Sequence, residues 1–545
     1  MIQKPVLNDG TKMKTVGMYL VDLLAAYGVD TVFGIPGVHT IELYRGVAGS
    51  TLRHVSARHE QGLGFMADGY ARATGKPGVC FVITGPGMTN IATSMAQAFA
   101  DSIPMLVISS VNASGDIGSG NGHLHELPDQ HAFAGNVAAF SYTVPRADAL
   151  PQAIARAFAV FSGGRPRPVH LQIPLDVLAA PADTLPPVPA APPRIAPGPA
   201  SADGIDALRA KAAAARAPLI LAGGGALDAS DDVRWLAEAL DAPVVMTING
   251  RGVLPPAHPL GIAWSASSDA VRALMRDSDL IVALGTELGP TDYDLYATRS
   301  FSMPAPLVRI DIDPQQLCRN AVPALPLLGD VGETLRALRH VWPGDAGARA
   351  DRDGIERATR CRAAARQELN DEMRRDLALL DSVRDTLPDA AIVGDSTRIV
   401  YAGNVGFAAP RPRSWFNASV GFGSLGYGLP AAVGASLGDA SRPVVCLAGD
   451  GGFQYTLAEL GTAVQHRARV IVVLLNNGGY GEIKRAMVDG GVEPVGVDLH
   501  TPDFVAIARA YGWGAQRVEA GASLAGALSE AAAHDAPYLI EIRAR

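Results

Sequence analysis

Residues 449–481 read GDGGFQYTLAELGTAVQHRARVIVVLLNNGGYG, and this stretch decides the fold of the chain. An apolar run directly before it predicts a buried strand, a helix is predicted from about 455 to 466, and a second apolar run at 470–475 predicts the next strand. Strands joined by a crossover helix run parallel and end at the same edge of a sheet. This order predicts an α/β fold in which Asp450 and Asn477 lie side by side at that edge.

The two polar side chains at this edge have the chemistry of a magnesium site. The carboxylate of Asp450 and the side-chain carbonyl of Asn477 are hard oxygen donors of the kind that Mg²⁺ prefers. The neighbouring glycines allow the backbone to approach a diphosphate group. Taken alone, the GDG tripeptide favours an ordinary strand–turn–helix corner. Its combination with the Asn-Asn pair, each after a predicted strand, favours a metal and diphosphate site.

The bulk composition describes a large, well-buried protein. The chain has 545 residues, a hydrophobic fraction of 48%, a charged fraction of 18% and a formal net charge of −8. This length predicts several domains, and the negative charge speaks against a nucleic-acid or anionic-membrane surface. No apolar stretch approaches transmembrane length, and the polar start of the chain does not resemble a secretory signal. Four cysteines without paired spacing predict a reduced, cytoplasmic protein: Cys80, Cys318, Cys361 and Cys446.

The alternation of predicted strands and helices repeats three times along the chain. It predicts three domains, each a parallel sheet covered by helices. A stretch rich in proline and alanine separates the first two domains, and a charged helical stretch from about 352 to 376 leads into the third. The predicted order is an N-terminal arm at 1–14, a first domain at 15–180, a linker at 181–200, a middle domain at 201–342, a linker and helix at 343–376, and a third domain at 377–545.

Glu60 is the acidic residue of the first domain that we single out. It lies in Arg58-His59-Glu60-Gln61-Gly62, after a predicted strand and at the start of a predicted helix. A shielded carboxylic acid in this position can share a proton with a bound ring nitrogen. An acid in the first turn is also favoured by the helix dipole alone. The residues by themselves leave both interpretations open.

Two segments carry a family resemblance. Residues 58–90, RHEQGLGFMADGYARATGKPGVCFVITGPGMTN, resemble the corresponding segment of acetolactate synthases and related 2-oxo acid decarboxylases. The pair of GDG and NN is similar to the thiamin diphosphate (thiamine pyrophosphate) signature. The resemblance implies a domain order of pyrimidine-binding, middle and diphosphate-binding, with thiamin diphosphate and Mg²⁺ as cofactors. It also implies a homo-oligomer, a dimer of dimers, with active sites between subunits.

The resemblance assigns roles to individual residues. It implies that Asp450, Asn477 and the carbonyl of Gly479 bind the metal, that Glu60 contacts N1′ of the aminopyrimidine ring, and that Leu425, in SVGFGSLGYGLP, wedges the cofactor into its bent shape. It gives Glu60 and Leu425 as catalytic residues. His125, a polar residue in a loop rich in glycine and asparagine, is the third catalytic candidate, with a solvated loop histidine as the alternative. The implied cofactor-binding residues are Pro36, Glu60, Ser396, Thr397, Gly423, Leu425, Gly449, Asp450, Gly451, Gly452, Asn477, Gly479, Tyr480 and Gly481.

The chain also departs from its better-known relatives. His125, in HLHELPDQ, stands where acetolactate synthases have glutamine, and Ala486 stands where they have tryptophan. Residues 286–290 read TELGP in place of an FAD-binding Arg-Phe-Asp-Asp-Arg run, which makes FAD doubtful. The pyruvate-type decarboxylases have an adjacent His-His pair and an acid where this chain has Val38. Neither feature is present here.

A closer resemblance is to the 5-guanidino-2-oxopentanoate (2-ketoarginine) decarboxylases. The shared segments are FGIPGVHTIELYRG, Leu-His-Glu at 124–126 and NNGGYGEIK. Glu482 is an acid on a segment that lines the substrate in relatives, and a guanidinium is a planar, bidentate partner for a carboxylate. Glu482 could instead face solvent or pair with Lys484 or Arg485, and Glu126 and Asp129 are second candidates for the substrate's cation. The substrate candidates are Val38, His39, His125, Glu126 and Glu482.

Three functions are compatible with these residues. The first is a lyase that decarboxylates a 2-oxo acid to an aldehyde and CO₂. The second is a transferase that joins two 2-oxo acids, as acetolactate synthase does. The third is a cofactor-binding or regulatory protein without turnover, which the presence of Glu60, Asp450 and Asn477 disfavours.

Overall fold

The structure is a computed structural model, and it describes residues 13–192, 194–294, 303–342, 352–519 and 523–543. Three six-stranded sheets, all parallel, carry the fold. This confirms the predicted α/β class with three helix-covered parallel sheets. The domain boundaries given above stay predictions. Within the described residues, no helix is long and apolar enough to cross a membrane.

The first sheet has the strand order β2-β1-β3-β4-β6-β5. Its strands are β1 Thr31–Gly34, β2 Arg53–Ser56, β3 Gly78–Val82, β4 Met105–Val111, β5 Phe140–Thr143 and β6 Val169–Pro174. The helices of this part are α1 Val16–Ala26, α2 Ile41–Val47, α3 Glu60–Thr74, α4 Pro86–Ala100, α5 Gln130–Gly135, α6 Leu150–Gly163 and α7 Leu175–Ala179. The predicted helix at 60–74 is confirmed, and it ends at Gly75, whose φ of +74° suits glycine.

The second sheet has the order β12-β11-β10-β7-β8-β9. Its strands are β7 Pro218–Ala222, β8 Val244–Met246, β9 Gly261–Ile262, β10 Leu280–Leu284, β11 Leu307–Asp311 and β12 Leu325–Leu328. Its helices are α8 Ala202–Ala214, α9 Ser230–Leu240, α10 Asp269–Arg276, α11 Pro290–Tyr293 and α12 Val331–Val341.

The third sheet has the order β14-β13-β15-β16-β18-β17, which repeats the order of the first sheet strand for strand. Its strands are β13 Ala391–Gly394, β14 Trp415–Asn417, β15 Val444–Gly449, β16 Val470–Asn476, β17 Gly514–Val518 and β18 Tyr538–Arg543. The described helices from residue 354 onward are α13 Gly354–Gln367, α14 Asp371–Thr386, α15 Arg398–Gly406, α16 Gly428–Gly438, α17 Asp450–Phe453, α18 Glu459–Gln465, α19 Gly481–Asp489, α20 Phe504–Ala510 and α21 Leu524–Ala533. Helix α13 packs against α10 and strand β9.

Two predicted helices are interrupted, and the single-helix predictions were wrong there. The range 455–466 contains the end of a 3₁₀ turn at 454–456, a break and then α18, whereas the short α17 precedes that range. The charged stretch at 352–376 is two helices, because the side chain of Asn370 accepts a hydrogen bond from the Met373 N–H and starts α14 afresh. The predicted arm falls mainly outside the described residues, as do residues 193 and 343–351 of the predicted linkers.

By its internal contacts the chain forms two compact units. Unit 1 contains the described residues up to 195, together with 429–439 and 456–468. Unit 2 contains 196–428, 440–455 and the described residues from 469 onward. Helix α18 therefore belongs to the unit of the first sheet, although it follows the GDGG motif in the sequence.

Candidate functional site

Asp450 begins helix α17 directly after strand β15. It is 1% exposed, and its Oδ1 accepts a hydrogen bond from the Asn477 backbone N–H at 3.2 Å. Its Oδ2 is buried without a hydrogen-bond partner among the described residues. Burial raises the pKa of Asp450, because the charged form is separated from water. A buried carboxylate oxygen in this state is suited to a cation.

The side-chain amide of Asn477 completes a cluster of oxygen atoms with Asp450. One terminal atom of this amide lies 2.9 Å from the Gly479 carbonyl oxygen and 3.0 Å from Asp450 Oδ1. With nitrogen there, the amide donates two hydrogen bonds and closes the site. With oxygen there, three oxygens stand at the spacing of an octahedral edge, about 2.8–3.0 Å for Mg–O bonds of about 2.0–2.1 Å. The donor set therefore fits Mg²⁺.

Most of the candidate metal ligands in this cluster are uncharged. Among the described residues, no group of three or more His, Cys, Asp and Glu side chains is placed to hold a metal ion. The candidate site has one carboxylate, one amide and one main-chain carbonyl. Because this set supplies a single negative charge, additional anionic ligands such as phosphate oxygens suit the metal.

Two glycines of the motif are required by their surroundings. A Cβ atom on Gly451 would lie 2.7 Å from the ring of Tyr480. Gly479 has a φ of +155°, and a Cβ atom on it would lie 2.1 Å from the Val497 carbonyl oxygen. Either glycine could be replaced only with movement of the backbone or of the Tyr480 ring. These glycines bring the two motif segments together.

Asp395 organises the opposite wall of the site. This buried carboxylate accepts N–H groups from Ser396 at 2.7 Å, Gly426 at 3.0 Å and Gly428 at 3.3 Å. Burial raises the pKa of Asp395 to about 6. The hydrogen bonds fold the 423–428 loop so that Leu425 faces the same cleft as Ser396. Asp395 was given no role of its own in the prediction from sequence, although an acid directly after a buried strand is a usable signal.

The predicted diphosphate-domain residues share one cleft of about 690 Å³ within unit 2. Thirteen predicted cofactor or substrate residues line it: Ser396, Thr397, Gly423, Leu425, Gly449, Asp450, Gly451, Gly452, Asn477, Gly479, Tyr480, Gly481 and Glu482. Residues separated by almost ninety positions in the sequence are thus brought together, because strands β13, β15 and β16 are neighbours that end at one sheet edge.

Glu60 lies in unit 1, at the start of helix α3. It is 9% exposed, and its Oε2 accepts a hydrogen bond from Asn90 Nδ2 at 2.9 Å. Asn90, on helix α4, is a residue that sequence analysis did not single out. Its contact orients the Glu60 carboxylate and leaves Oε1 for another partner.

His39 and His125 form a pair at the carboxyl edge of the first sheet. Their ring centroids are 5.0 Å apart, and the Nδ1 atom of each is buried without a hydrogen-bond partner among the described residues. Burial and the nearby His125 ring lower the pKa of His39. His125 has a φ of +61°, and its carbonyl accepts the Thr84 hydroxyl at 3.2 Å. Although the sequence has no adjacent His-His pair, the fold brings these two histidines together. Pro36 and Val38, on the turn before His39, are exposed.

The carboxylate of Glu126 binds donor groups of its own loop. Its carboxylate accepts N–H groups from Gly120 at 2.7 Å, Gly122 at 3.0 Å and His123 at 3.1 Å, and the Ser119 hydroxyl at 3.0 Å. These donors lower the pKa of Glu126, with the Gly120 N–H as the largest cause. Glu126 therefore holds the loop that presents His125.

Asp129 is also engaged within the protein. Its Oδ1 accepts the Ala132 N–H at 2.8 Å and caps helix α5. The two second candidates for binding a substrate cation thus have intramolecular partners.

Glu482 lines the cleft and also has a cationic neighbour. Its Oε1 lies 3.6 Å from Arg485 Nη2, and its side chain is 35% exposed. Arg485 makes shorter contacts with both carboxylate oxygens of Glu372, at 2.9 and 3.1 Å. Lys484 pairs with Asp498 at 2.8 Å. Glu482 is consequently the weaker partner of Arg485 and retains exposed surface toward the cleft.

In the middle domain, Gly223-Gly224-Gly225 directly follows strand β7, and the first of these glycines is required by packing. A Cβ on Gly223 would collide with the Gly285 carbonyl and would lie 2.6 Å from the Thr286 α-carbon. The buried Arg309 guanidinium donates to the Thr286 carbonyl at 2.7 Å. The close approach of these two loops accounts for Gly223 without a nucleotide.

Comparison with known families covers most of the chain. Residues 14–133 match the family described as "Thiamine pyrophosphate enzyme, N-terminal TPP binding domain". Residues 205–338 match its central domain, and residues 393–542 match its C-terminal TPP binding domain. The N-terminal match contains strands β1 to β4 of the first sheet, and the central match contains the whole second sheet. The C-terminal match contains the third sheet except for the first two residues of β13 and the last residue of β18.

Curated relatives agree with this match. The chain is 46% identical over 505 residues to a protein named "Probable 2-ketoarginine decarboxylase AruI" from Pseudomonas aeruginosa, over 92% of this chain and 89% of the relative. It is 30% identical to an acetolactate synthase of Arthrospira platensis, over 98% and 95% of the two chains. It is 33% identical to an acetolactate synthase of Mycobacterium bovis, over 95% and 86%.

Proposed function

The chain belongs to the thiamine pyrophosphate enzyme family, and on that premise we propose that it decarboxylates a 2-oxo acid to an aldehyde and CO₂. The observation that carries the proposal is the convergence of Asp450, Asn477 and the Gly479 carbonyl at the spacing of a magnesium octahedron. In this proposal the metal is bound by Asp450, Asn477 and the Gly479 carbonyl. The diphosphate binds in the cleft lined by Ser396, Thr397 and the motif glycines.

The protein's own groups prepare the reaction. Thiamine pyrophosphate, when bound, supplies the electron sink for the loss of CO₂. Glu60 holds a proton at Oε1 for N1′ of the aminopyrimidine ring, while Asn90 fixes Oε2. Leu425 supports the ring from the cleft wall. His39 and His125 present ring nitrogens that bind the substrate's carboxylate or oxo group.

We assign the substrate as a 2-oxo acid with a cationic tail, 5-guanidino-2-oxopentanoate. The name of the Pseudomonas aeruginosa relative and the carboxylate of Glu482 in the cleft support this assignment. A guanidinium can meet a carboxylate through two parallel hydrogen bonds. Binding of the substrate's guanidinium to Glu482 would replace the 3.6 Å contact between Glu482 and Arg485. Arg485 would keep its two contacts with Glu372.

A substrate panel measured by CO₂ release tests the assignment. We expect wild type to prefer 5-guanidino-2-oxopentanoate over 2-oxohexanoate in kcat/KM. Glu482→Gln should narrow that preference by about 10- to 150-fold, the equivalent of about 1.5–3 kcal/mol for a charged hydrogen-bond partner. Glu493→Gln, at an exposed acid of the same segment, is the matched control. Preference for pyruvate in wild type would overturn the cationic substrate, and an unchanged ratio in Glu482→Gln would overturn the role of Glu482.

A carboligase is the second candidate function. It is supported by the acetolactate synthases to which the chain is 30–33% identical over almost its full length. Product analysis separates the two functions, because the lyase releases a free aldehyde and the carboligase forms a 2-hydroxy ketone. We expect the aldehyde.

The assembly and location are further parts of the proposal. Family resemblance supports a homo-oligomer, a dimer of dimers, in which Glu60 of one subunit serves the cofactor held by Asp450 of another. Four free cysteines, three of them buried, support a cytoplasmic location.

A further inference from the structure

The backbone directly before Glu60 is held by a second buried glutamate. Glu459, at the start of helix α18, accepts the Arg58 N–H at 3.1 Å and the His59 N–H at 3.1 Å through Oε1, and it is 1% exposed. Its Oε2 lies 3.2 Å from the Arg58 nitrogen. Without this carboxylate, two backbone donors at the entrance to helix α3 would lose their acceptor. Glu459 therefore fixes the point at which the chain turns from strand β2 into the helix that carries Glu60.

The carboxylate of Glu459 is itself held in one orientation. The Thr462 hydroxyl donates to Oε2 at 2.6 Å, and Arg58 Nη1 donates to the Thr462 hydroxyl at 3.2 Å. One turn further along the chain, His466 Nε2 accepts the Ser56 N–H at 3.0 Å. The segment from Ser56 to His59 is thus attached to helix α18 at several atoms.

Gly62 shows how closely Glu459 approaches helix α3. A Cβ on Gly62 would lie 2.5 Å from Glu459 Oε1 and 2.9 Å from its carboxyl carbon. The glycine at this position, in the first turn of the helix, leaves room for the carboxylate beneath Glu60. Burial raises the pKa of Glu459, and the hydrogen bonds from Thr462 and Arg58 oppose that effect.

The side chain and the backbone of Glu60 are therefore held by different groups. Asn90 fixes one carboxylate oxygen at 2.9 Å, and Glu459 fixes the two residues that precede Glu60. We propose that Glu459 is a positioning residue for Glu60: it sets the start of helix α3 so that the Glu60 carboxylate reaches the cofactor's aminopyrimidine. This proposal rests on the proposed function, since it gives Glu60 its task.

Two variants separate positioning from charge. Glu459→Gln keeps a side-chain oxygen for the Arg58 and His59 N–H groups and offers its NH₂ group to the Thr462 hydroxyl. Glu459→Ala removes both acceptors. In the cofactor-free protein, hydrogen exchange measured by mass spectrometry should be at least about 10-fold faster for the amides of Arg58 and His59 in the alanine variant. The glutamine variant should exchange as wild type does.

The second readout is the exchange of the cofactor's C2 hydrogen in deuterium oxide, followed by quench and NMR. We expect Glu459→Ala to slow it at least about 10-fold at unchanged cofactor affinity, and Glu459→Gln to restore it to within about threefold. Wild-type C2 exchange in a folded alanine variant would overturn the positioning role. Parallel loss of cofactor affinity would overturn it too, because the role would then be structural.

Glu459→Asp covers the case in which the alanine variant does not fold. It retracts the carboxylate by one methylene group, and we expect an intermediate slowing of C2 exchange; a wild-type rate together with wild-type amide exchange would contradict the proposal. A different result would show that the proposed function, rather than the role of Glu459, is wrong. A wild-type protein that releases no CO₂ from any 2-oxo acid would overturn that function, whereas the amide-exchange pattern of the Glu459 variants would be unaffected.

Discussion

At the scale of the residue, Asp450 shows most directly what the site requires. Its buried Oδ2 has no partner within the described residues, and burial raises its pKa, so the carboxylate destabilises the metal-free protein. A divalent cation bound as proposed would remove that cost. Asp450 thus increases the affinity for a cation and lowers the stability of the cofactor-free protein.

Asp450→Asn should separate binding from folding. The amide oxygen can still accept the Asn477 N–H, and loss of the buried charge should leave the melting temperature of the cofactor-free protein equal to or above that of wild type. Affinity for thiamine pyrophosphate with Mg²⁺ should fall by at least about 100-fold, since even outer-shell changes at metal sites cost about 10–100-fold.

Thermal shift with and without cofactor and Mg²⁺, together with calorimetry, measures both effects. Ligand at 100 times its Kd stabilises wild type by about 2.7 kcal/mol, and the variant should show almost none of this. Asp498→Asn, at a 75% exposed acid that pairs with Lys484, is the control. Full cofactor affinity in Asp450→Asn would refute the assignment of this residue to the metal.

The site residues that were predicted from the sequence and those that were not differ in how far along the chain their contact partners lie. Asp450 and Asn477 each follow a predicted strand, so the rule that parallel strands end at one edge was sufficient to bring them together. Asn90 and Glu459 act across the fold, on side-chain and backbone atoms 30 and about 400 positions away. No local pattern of one sequence encodes such a contact.

At the scale of the element, the first sheet contains a buried polar network among its strands. His170 on β6 contacts the Ser109 hydroxyl through Nε2 at 2.8 Å and the Ser141 hydroxyl through Nδ1 at 2.7 Å. Gln130 at the start of α5 donates to Ser109 at 3.0 Å and accepts the Gly85 N–H at 3.1 Å. The network connects the interior of the sheet to the loop beside His125.

The network predicts a pH-dependent loss of stability. Burial, with a smaller effect of His131, lowers the pKa of His170 to about 3, so the folded protein keeps this ring neutral. The unfolded chain binds a proton below about pH 6.5. Because the unfolded state then holds more protons, stability should fall as pH drops from about 6.5 toward 3, by up to about 1.4 kcal/mol per pH unit from this residue.

His170→Gln should make that fall shallower. Glutamine can still bond to a serine hydroxyl but does not titrate. The comparison is urea unfolding or thermal shift at pH 7.5, 6.5 and 5.5, with His500→Gln, at an exposed histidine, as the control. Equal slopes in wild type and His170→Gln would contradict the account.

Predicted elements were most accurate where local signals agree. The helix at 60–74 has a strand before it and a glycine after it, and both signals hold in the structure. The helix predicted at 455–466 failed because its apolar periodicity continues through a 3₁₀ turn at 454–456 and a break before Glu459. Periodicity alone does not record such a break.

At the scale of the whole molecule, the first and third sheets share one strand order. Two domains of one topology in a single chain are consistent with duplication, and the proposed oligomer uses them differently, one for the pyrimidine and one for the diphosphate. The assembly itself depends on surfaces that a single chain does not reveal.

Mixing two inactive variants tests whether subunits share a site. Glu60→Gln and Asp450→Asn should each be inactive alone. After unfolding and refolding together, roughly a quarter of wild-type activity should return, because half of randomly paired dimers are hybrids with one intact site of two. The measurement is CO₂ release after reassortment, with each variant refolded alone as control. No recovery in proven hybrids would place the whole site within one chain.

Unit 1 has a discontinuous path through the sequence, and this affects how the protein is made. Its helix α18 begins at Glu459 and is therefore translated roughly 285 residues after Pro174, where the first sheet is complete. At about 5–20 residues per second, a ribosome needs roughly 15–55 s to supply it. During that interval the turn before Glu60 lacks its buried acceptor and the face at Gly62 stays uncovered. The nascent first domain is therefore a natural client for chaperones, and an expressed fragment ending near residue 195 would keep that exposed face permanently.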